Sequence, residues 1–124
     1  MKIHQPPAKE TATASVSVVI PVFNELENAP LIHRELSDVM QATQREYELI
    51  FVDDGSIDGT RQRLQEIASQ DPKVKLVLFR RNYGQSAAML AGMQHASNDY
   101  VVTIDGDLQN DPQDIPMTVS YTHL

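Results

Sequence analysis

Cysteine and tryptophan are both absent from the 124 residues. Without cysteine there is no disulfide, no thiol nucleophile and no thiolate metal ligand, and the redox compartment leaves no mark on the chain. Positive charge is scarce: 10 Lys and Arg stand against 17 Asp and Glu, a formal net charge of −7. That balance argues against nucleic acid as the main partner and against a polybasic grip on a membrane surface. No apolar run approaches the roughly 20 residues that a spanning helix needs. Lys2 stands near the N-terminus without an apolar signal core behind it. A cytoplasmic location is the expectation. Anionic ligands are not excluded, because a bound cation or a helix N-terminus can reverse the local field.

What is present fits one modest α/β domain. The apolar fraction is 41%, ordinary for a globular chain. Residues Met1 to Ala14 are polar and carry Pro6-Pro7, the pattern of a disordered leader (1–14). Val16 to Val22 is β-branched and almost continuously apolar, which predicts a strand buried on both faces, ended by Pro21. Asn28 is placed to cap a helix with Ile32, Leu36, Val39 and Met40 on its apolar face. Tyr47 to Val52 is a second strand. Asp58 then caps a helix from about Gly59 to Gln70, with Leu64, Ile67 and Ala68 inward, terminated by Asp71-Pro72. Val74 to Phe79 is a third strand. A third helix runs from Gln85 to Ala96, with Ala88, Leu90, Ala91 and Met93 as candidate core. Tyr100 to Ile104 is a fourth strand. Strand and helix alternate three times, which predicts a mainly parallel, Rossmann-like sheet with helices on both faces. Ligands bind such sheets beyond the carboxyl ends of the strands. Every unusual loop here follows a strand: Pro21 to Glu25, Asp53 to Ser56, Arg80 to Gly84 and Asp105 to Gln109.

The last of these loops carries the most pointed chemistry. Asp105 and Asp107 follow a buried strand one residue apart, too close for two like charges to be stable alone. A divalent cation relieves that repulsion and supplies a Lewis acid for diphosphate oxygens. Gly106 lets a ligand approach the backbone between them. An ordinary acidic turn accounts for the same residues, since Asp and Gly are common turn formers.

Four segments together resemble a known family. VSVVIPVFNE (Val16 to Glu25), VDDGSIDGT (Val52 to Thr60), RNYGQSAAMLAG (Arg81 to Gly92) and IDGDLQNDP (Ile104 to Pro112) are similar, in order and spacing, to the inverting family 2 glycosyltransferases of GT-A fold. The polyprenyl-phosphate branch, with its dolichyl-phosphate mannose synthases and undecaprenyl-phosphate glycosyltransferases, is the narrower likeness. The resemblance implies that Pro21, Phe23 and Glu25 line a nucleotide pocket. It makes Asp54 the acceptor of a base N–H, which suits the imide of uracil or the matching edge of guanine. Gly84 and Gln85 match a loop that closes over the nucleotide, although a plain strand-to-helix turn also wants glycine there. Asp53, Ser56 and Asp58 are read as turn and capping residues. Asp105, Asp107 and Gln109 match the family's metal triad, holding Mg2+ or Mn2+ against the diphosphate, with Asp105 and Asp107 as its catalytic carboxylates. The implied partners are a UDP-, GDP- or dTDP-linked sugar and a polyprenyl phosphate. Because that acceptor is already anionic, no dedicated general base is required. Arg80 and Arg81 face either the diphosphate or only water, with water the preferred reading, and His33 and His95 are read as surface residues rather than catalysts.

The resemblance covers about residues 15–116, a nucleotide-sugar-binding domain. The family normally continues past Pro116 with an acceptor side and often membrane helices. Residues 117–124 read MTVSYTHL, an atypical tail, so a fragment lacking the acceptor half and the membrane-docking part is expected. Such a fragment could bind a nucleoside diphosphate without catalysing transfer. A phospho-acceptor receiver domain is the reading from another class. It needs an aspartate after its third strand and a lysine after its last; Arg80 and Tyr83 occupy the first place, and no lysine follows Lys75. A haloacid-type phosphatase needs Thr or Val just after the second Asp, where Leu108 stands.

Overall fold

In the computed structural model, residues 14–104 and the backbone of 117–120 are described. The elements are β1 (Val16–Val22), α1 (Asn28–Ala42), β2 (Tyr47–Asp53), α2 (Thr60–Gln70), β3 (Val74–Leu78), α3 (Gln85–Gln94), β4 (Tyr100–Ile104) and β5 (Met117–Ser120). They form one sheet in the order β3-β2-β1-β4-β5. The first four strands are parallel, and β5 runs antiparallel to β4. The expected alternation and parallel sheet are therefore present. The tail residues Met117–Ser120 add an edge strand that the sequence reading did not anticipate.

Strand β1 sits at the centre, and all seven of its residues are buried. Its side chains alternate between two cores. Val18 and Ile20, with Leu49 and Phe51 of β2, pack under Ala29, Ile32 and Leu36 of α1 and Leu64 of α2. Val19, with Ile50 and Val52, packs under Ala88 of α3 on the other face. A strand buried on both faces needs apolar residues at successive positions, which is why its sequence shows no polar alternation. Full burial of one such Val, Leu or Ile is worth about 1.5–3 kcal/mol.

Several local expectations are corrected. Strand β1 runs through Pro21, paired opposite Val52, and ends at Val22. Its pairing with β4 among the described residues stops at Val19 opposite Thr103. A residue without an N–H is tolerated where only one neighbour is hydrogen-bonded. Helix α1 is capped at Glu27, not Asn28, and the Asn28 amide donates to the Glu25 carboxylate at 2.8 Å. Val39 is 44% exposed and Leu90 is 57% exposed, so neither belongs to the core. Gly92 takes the inward position on α3 instead. A Cβ there would lie 2.3 Å from Val19 Cγ1, so helix and strand meet at van der Waals contact through glycine. Of the expected leader only Ala14 is described, and it is buried, its carbonyl accepting from Arg45 at 3.4 Å.

The two helical layers fix where a ligand can sit. The chain leaves β1 over the α1–α2 face and returns to β4 over the α3 face. Neighbouring parallel strands whose connections depart on opposite sides leave a crevice beyond their carboxyl ends. That rule assigns the crevice to the ends of β1 at Val22 and of β4 at Ile104.

Candidate nucleotide-binding edge

The loop after β1 is zipped to the loop after β2 by short polar side chains. Asn24 adopts φ 51°, and its N–H donates to Ser56 Oγ at 2.8 Å. Its side-chain oxygen accepts the Ile57 N–H at 2.9 Å. The Glu25 N–H donates to Thr60 Oγ1 at 2.9 Å, and the Leu26 N–H to Asp58 Oδ2 at 3.3 Å. Asp58 also accepts the Thr60 N–H at 3.0 Å, so its carboxylate caps α2 although Gly59 is the residue at the cap position. The hydrogen bond from the Thr60 hydroxyl holds the Asp58 carboxyl below its ordinary range. Ser, Thr, Asn and Asp do this work because a short side chain ending in an oxygen can accept a backbone N–H of the neighbouring loop.

The two adjacent aspartates of the β2 loop face the β3 side. Asp53 is fully buried. Its Oδ2 accepts Arg61 Nε at 3.1 Å and its Oδ1 accepts the Ser56 N–H at 3.2 Å. Arg61 continues to the Phe79 carbonyl. Asp54 is only 4% exposed. Its carboxylate accepts the Tyr83 N–H at 2.7 Å, the Gly84 N–H at 3.0 Å and Asn82 Nδ2 at 3.1 Å. Gly55, at φ +79°, lies against the Arg81–Asn82 peptide, with a Cβ position 2.3 Å from the Arg81 carbonyl carbon. Gly84 at φ 104° and ψ 159° leads into α3, whose first residue is Gln85. That backbone region is essentially reserved for glycine.

The sequence-derived nucleotide residues occupy this edge in different ways. Pro21 is buried inside β1, opposite Val52. Phe23 is 44% exposed at the strand's end, and Glu25 sits in the adjoining loop with its carboxylate on Asn28. Asp54 and Gly84 come together through the bonds just described, and Gln85 follows as the first residue of α3. Asp105, Asp107 and Gln109 lie outside the described residues. Arg81 stacks over the Tyr83 ring at 5.2 Å and donates to its hydroxyl at 3.1 Å, while Phe79 meets that ring edge-on at 5.5 Å. His33 is tied to Asp71 at 2.7 Å, and His95 Nδ1 is 2.8 Å from the Ala91 carbonyl. A polar cleft of about 220 Å³ lies between Ser56, Ile57, Arg61, Gln62 and Arg80. It adjoins β2 and β3 rather than the β1–β4 junction, so the strand topology favours the junction as the ligand site. Sequence reasoning passed over Asn82 and Thr60. Their signal was their type, short polar residues in strand-end loops.

Relatives of known description agree with this geometry. The profile of Glycosyl transferase family 2 matches residues 17–123. Undecaprenyl-phosphate 4-deoxy-4-formamido-L-arabinose transferase of Pseudomonas fluorescens is 44% identical over 110 residues, covering 88% of this chain and 32% of that protein. Its counterpart in Proteus mirabilis is 49% identical over 107 residues, covering 85% of this chain and 32% of that protein. The chain thus spans about a third of the length of these relatives. Among solved structures, a mannosyltransferase from Pyrobaculum calidifontis in complex with GDP-Man and Mn2+ has a TM-score of 0.60 at 27% identity, covering 77% of this chain and 28% of its own. TarS of S. aureus in complex with UDP has a TM-score of 0.63 at 23% identity, covering 75% of this chain and 27% of its own, a likeness of fold. With a GT-A-like fold and a family profile matched across nearly the whole chain, the protein belongs to glycosyl transferase family 2.

Proposed function

We propose that this chain is the donor-binding part of an inverting glycosyltransferase that moves a sugar from a nucleotide-sugar to a polyprenyl phosphate, working at the cytoplasmic face of a membrane. The observation that carries the reading is that the loops after β1, β2 and β3 are bonded to one another at the carboxyl edge of the sheet, with the Gly84 N–H on the Asp54 carboxylate at 3.0 Å. The acceptor class comes from the relatives named as undecaprenyl-phosphate transferases.

In this reading Phe23 and Glu25 flank the nucleotide, Pro21 shapes the floor beneath it, and Gly84 and Gln85 close over it. Asp54 accepts the base N–H. Three donors hold its carboxylate in four contacts, the Gly84 N–H being shared between both oxygens, so an imide hydrogen takes the place of the long 3.3 Å share at Oδ1. Asp105 follows Ile104 directly, so the acidic stretch begins where β4 reaches the same junction. Two carboxylates and a carboxamide oxygen, Asp105, Asp107 and Gln109, are a donor set that fits Mg2+ or Mn2+. Such an ion neutralises charge on the departing nucleoside diphosphate. Among the described residues no cluster of His, Cys, Asp or Glu offers another metal site, and no helix is long and apolar enough to cross a membrane.

The test is a binding map. In amide-detected magnetic resonance, UDP, GDP or dTDP added with Mg2+ should shift Phe23, Glu25, Asp54, Gly84 and Gln85 and leave Ser97 to Asp99 unmoved. If no nucleotide shifts the first group, the reading fails.

A further inference from the structure

We propose that Asn82 is a positioning residue for nucleobase recognition, holding the Asp54 carboxylate in the orientation that accepts the base. This rests on the reading of Asp54 as the base acceptor. The Asn82 amide nitrogen lies 3.1 Å from Asp54 Oδ2 and 3.2 Å from the Asp54 carbonyl oxygen. Both partners are acceptors, so the nitrogen end of the amide must face Asp54 and its oxygen faces away. The remaining donors to the carboxylate are the backbone N–H groups of Tyr83 and Gly84. Those two sit in consecutive peptides on one side, with Gly84 reaching both carboxylate oxygens, at 3.3 and 3.0 Å. The Tyr83 N–H holds Oδ1 and the Gly84 N–H spans both oxygens, but both restraints come from one stretch of loop backbone and move with it.

Asn82 adds a third, side-chain donor. It bonds one carboxylate oxygen and the carbonyl of the same residue, so Asp54's side chain and main chain are gripped by one planar group. The grip holds Oδ2 and leaves Oδ1, where the Gly84 share is long at 3.3 Å, as the oxygen that accepts the base. Asn82 itself is held in place by packing of the loop: Gly55 lies so close to the Arg81–Asn82 peptide that a Cβ would sit 2.5 Å from the Asn82 nitrogen. The side chain is exposed on its outer side, so removing its amide empties no core. Its loss should act on recognition more than on folding.

The experiment is calorimetric titration of the 124-residue chain with UDP, GDP and dTDP, and with inorganic diphosphate as a base-free probe, all in Mn2+. Asn82→Ala, Asn82→Leu and Asp54→Asn are compared with the unaltered chain, and thermal unfolding is followed for each. Leucine keeps the branching of asparagine at Cγ without its donors, and the exposed site has room for it, so it keeps the test open if alanine loosens the loop. The expected result is a roughly 3- to 10-fold loss of affinity for the nucleotide that binds best, the scale of one hydrogen bond. Diphosphate affinity and melting temperature should stay unchanged. If Asn82→Ala and Asn82→Leu bind nucleotide normally while Asp54→Asn binds it weakly, Asn82 does not position the carboxylate. An equal loss for nucleotide and diphosphate also overturns the proposal, since it marks a general loosening of the loop. If Asp54→Asn binds normally, the base-acceptor reading itself falls and takes this inference with it.

Discussion

The two edges of the sheet are both polar, but they are built in opposite ways. At the edge where the parallel strands begin, polar groups close on one another. Glu48 accepts the Ser17 hydroxyl at 2.6 Å, the Ser97 N–H at 2.8 Å and hydroxyl at 2.9 Å, and pairs with Lys75 at 3.0 Å. Ser15 and Asp99 exchange a second set of bonds beside it. Three of those donors share Oε2 and Lys75 holds Oε1, so the carboxylate is committed within the fold. At the edge where the strands end, side chains also bind backbone N–H groups, but those of loops in left-handed conformations. Positive φ angles gather there, at Asn24, Gly55, Gly59 and Gly84, with Gln44 the exception near the start of β2. Large apolar side chains also stand out at that edge, Phe23 at 44%, Ile57 at 90% and Tyr83 at 55% exposure. One edge is finished; the other spends unusual backbone conformations on holding loops in a set shape. Strain of that kind persists only where surrounding contacts over-determine it, and it is common at binding sites.

The sharpest way to break this contrast is Gly55→Ala. A Cβ would meet the Arg81 backbone at 2.3 Å in a residue at φ +79°. Neither backbone can move without releasing Asp54 from its loop. Overpacking and left-handed strain together predict a loss of about 3 kcal/mol or more in urea unfolding. Gly84→Ala should cost less, about 1–3 kcal/mol from its backbone region alone, because nothing lies within 4 Å of the Cβ position. Equal effects would mean that the close approach of the two loops is not what holds the edge.

Next in size is the division between adjacent aspartates. Asp53→Ala removes a fully buried carboxylate from a partner that is 31% exposed, so a stability loss of about 2–3 kcal/mol is expected, below the range for a fully buried pair. Nucleotide affinity of the folded fraction should change little. Asp54→Ala should weaken nucleotide binding by about 1–3 kcal/mol. Calorimetry on both variants checks the division; a reversal of the two outcomes would exchange their roles.

The smallest effect is at the closed edge. Burial pushes the Glu48 carboxyl up, but hydrogen bonds from Ser17, Ser97 and Lys75 outweigh it and hold it below its ordinary 4.5. Asp71 is likewise pushed up by burial and held below its ordinary 3.8 by bonds from His33 and the Lys73 N–H. In both, the unfolded chain takes up the proton first on acidification. Their stabilisation is therefore full above the ordinary values and is lost as pH falls through the lowered ones. Glu48→Gln should cost about 1 kcal/mol near neutral pH, with the difference from the unaltered chain shrinking below about pH 4.5. Nucleotide affinity should not move. A change in affinity would show that the closed edge feeds the open one.

Much of this arrangement is legible in the chain. β-branched runs at Val16, Tyr47 and Tyr100 announce buried strands, and the alternation with helical spacing announces a parallel sheet, which in turn places every odd loop on one edge. What is not legible is partnership at a distance. Asp54 and Asn82 are 28 residues apart, and nothing local distinguishes Asp54 from Asp53 until the β3 loop arrives. The core face of α3 is legible in part: Ala88, Ala91 and Met93 pack inward as expected, whereas Gly92 carries no apolar signal and Leu90 misleads. Pro21 misleads in the same manner: its missing N–H matters only on a side where a strand is paired, and among the described residues β4 pairing stops short of it.

The central claim is that the open edge binds a nucleoside diphosphate through a divalent cation held by the stretch after β4. The most direct measurement is nucleotide affinity in Mn2+ and in chelator, for the unaltered chain and for Asp107→Asn. The account predicts saturable binding that is at least about tenfold tighter with Mn2+, a coupling of about 1.4 kcal/mol, and loss of most of that difference in a folded Asp107→Asn chain. Nucleotide binding of equal strength with Mn2+ and with chelator would contradict it and return Asp105, Asp107 and Gln109 to the status of an acidic turn.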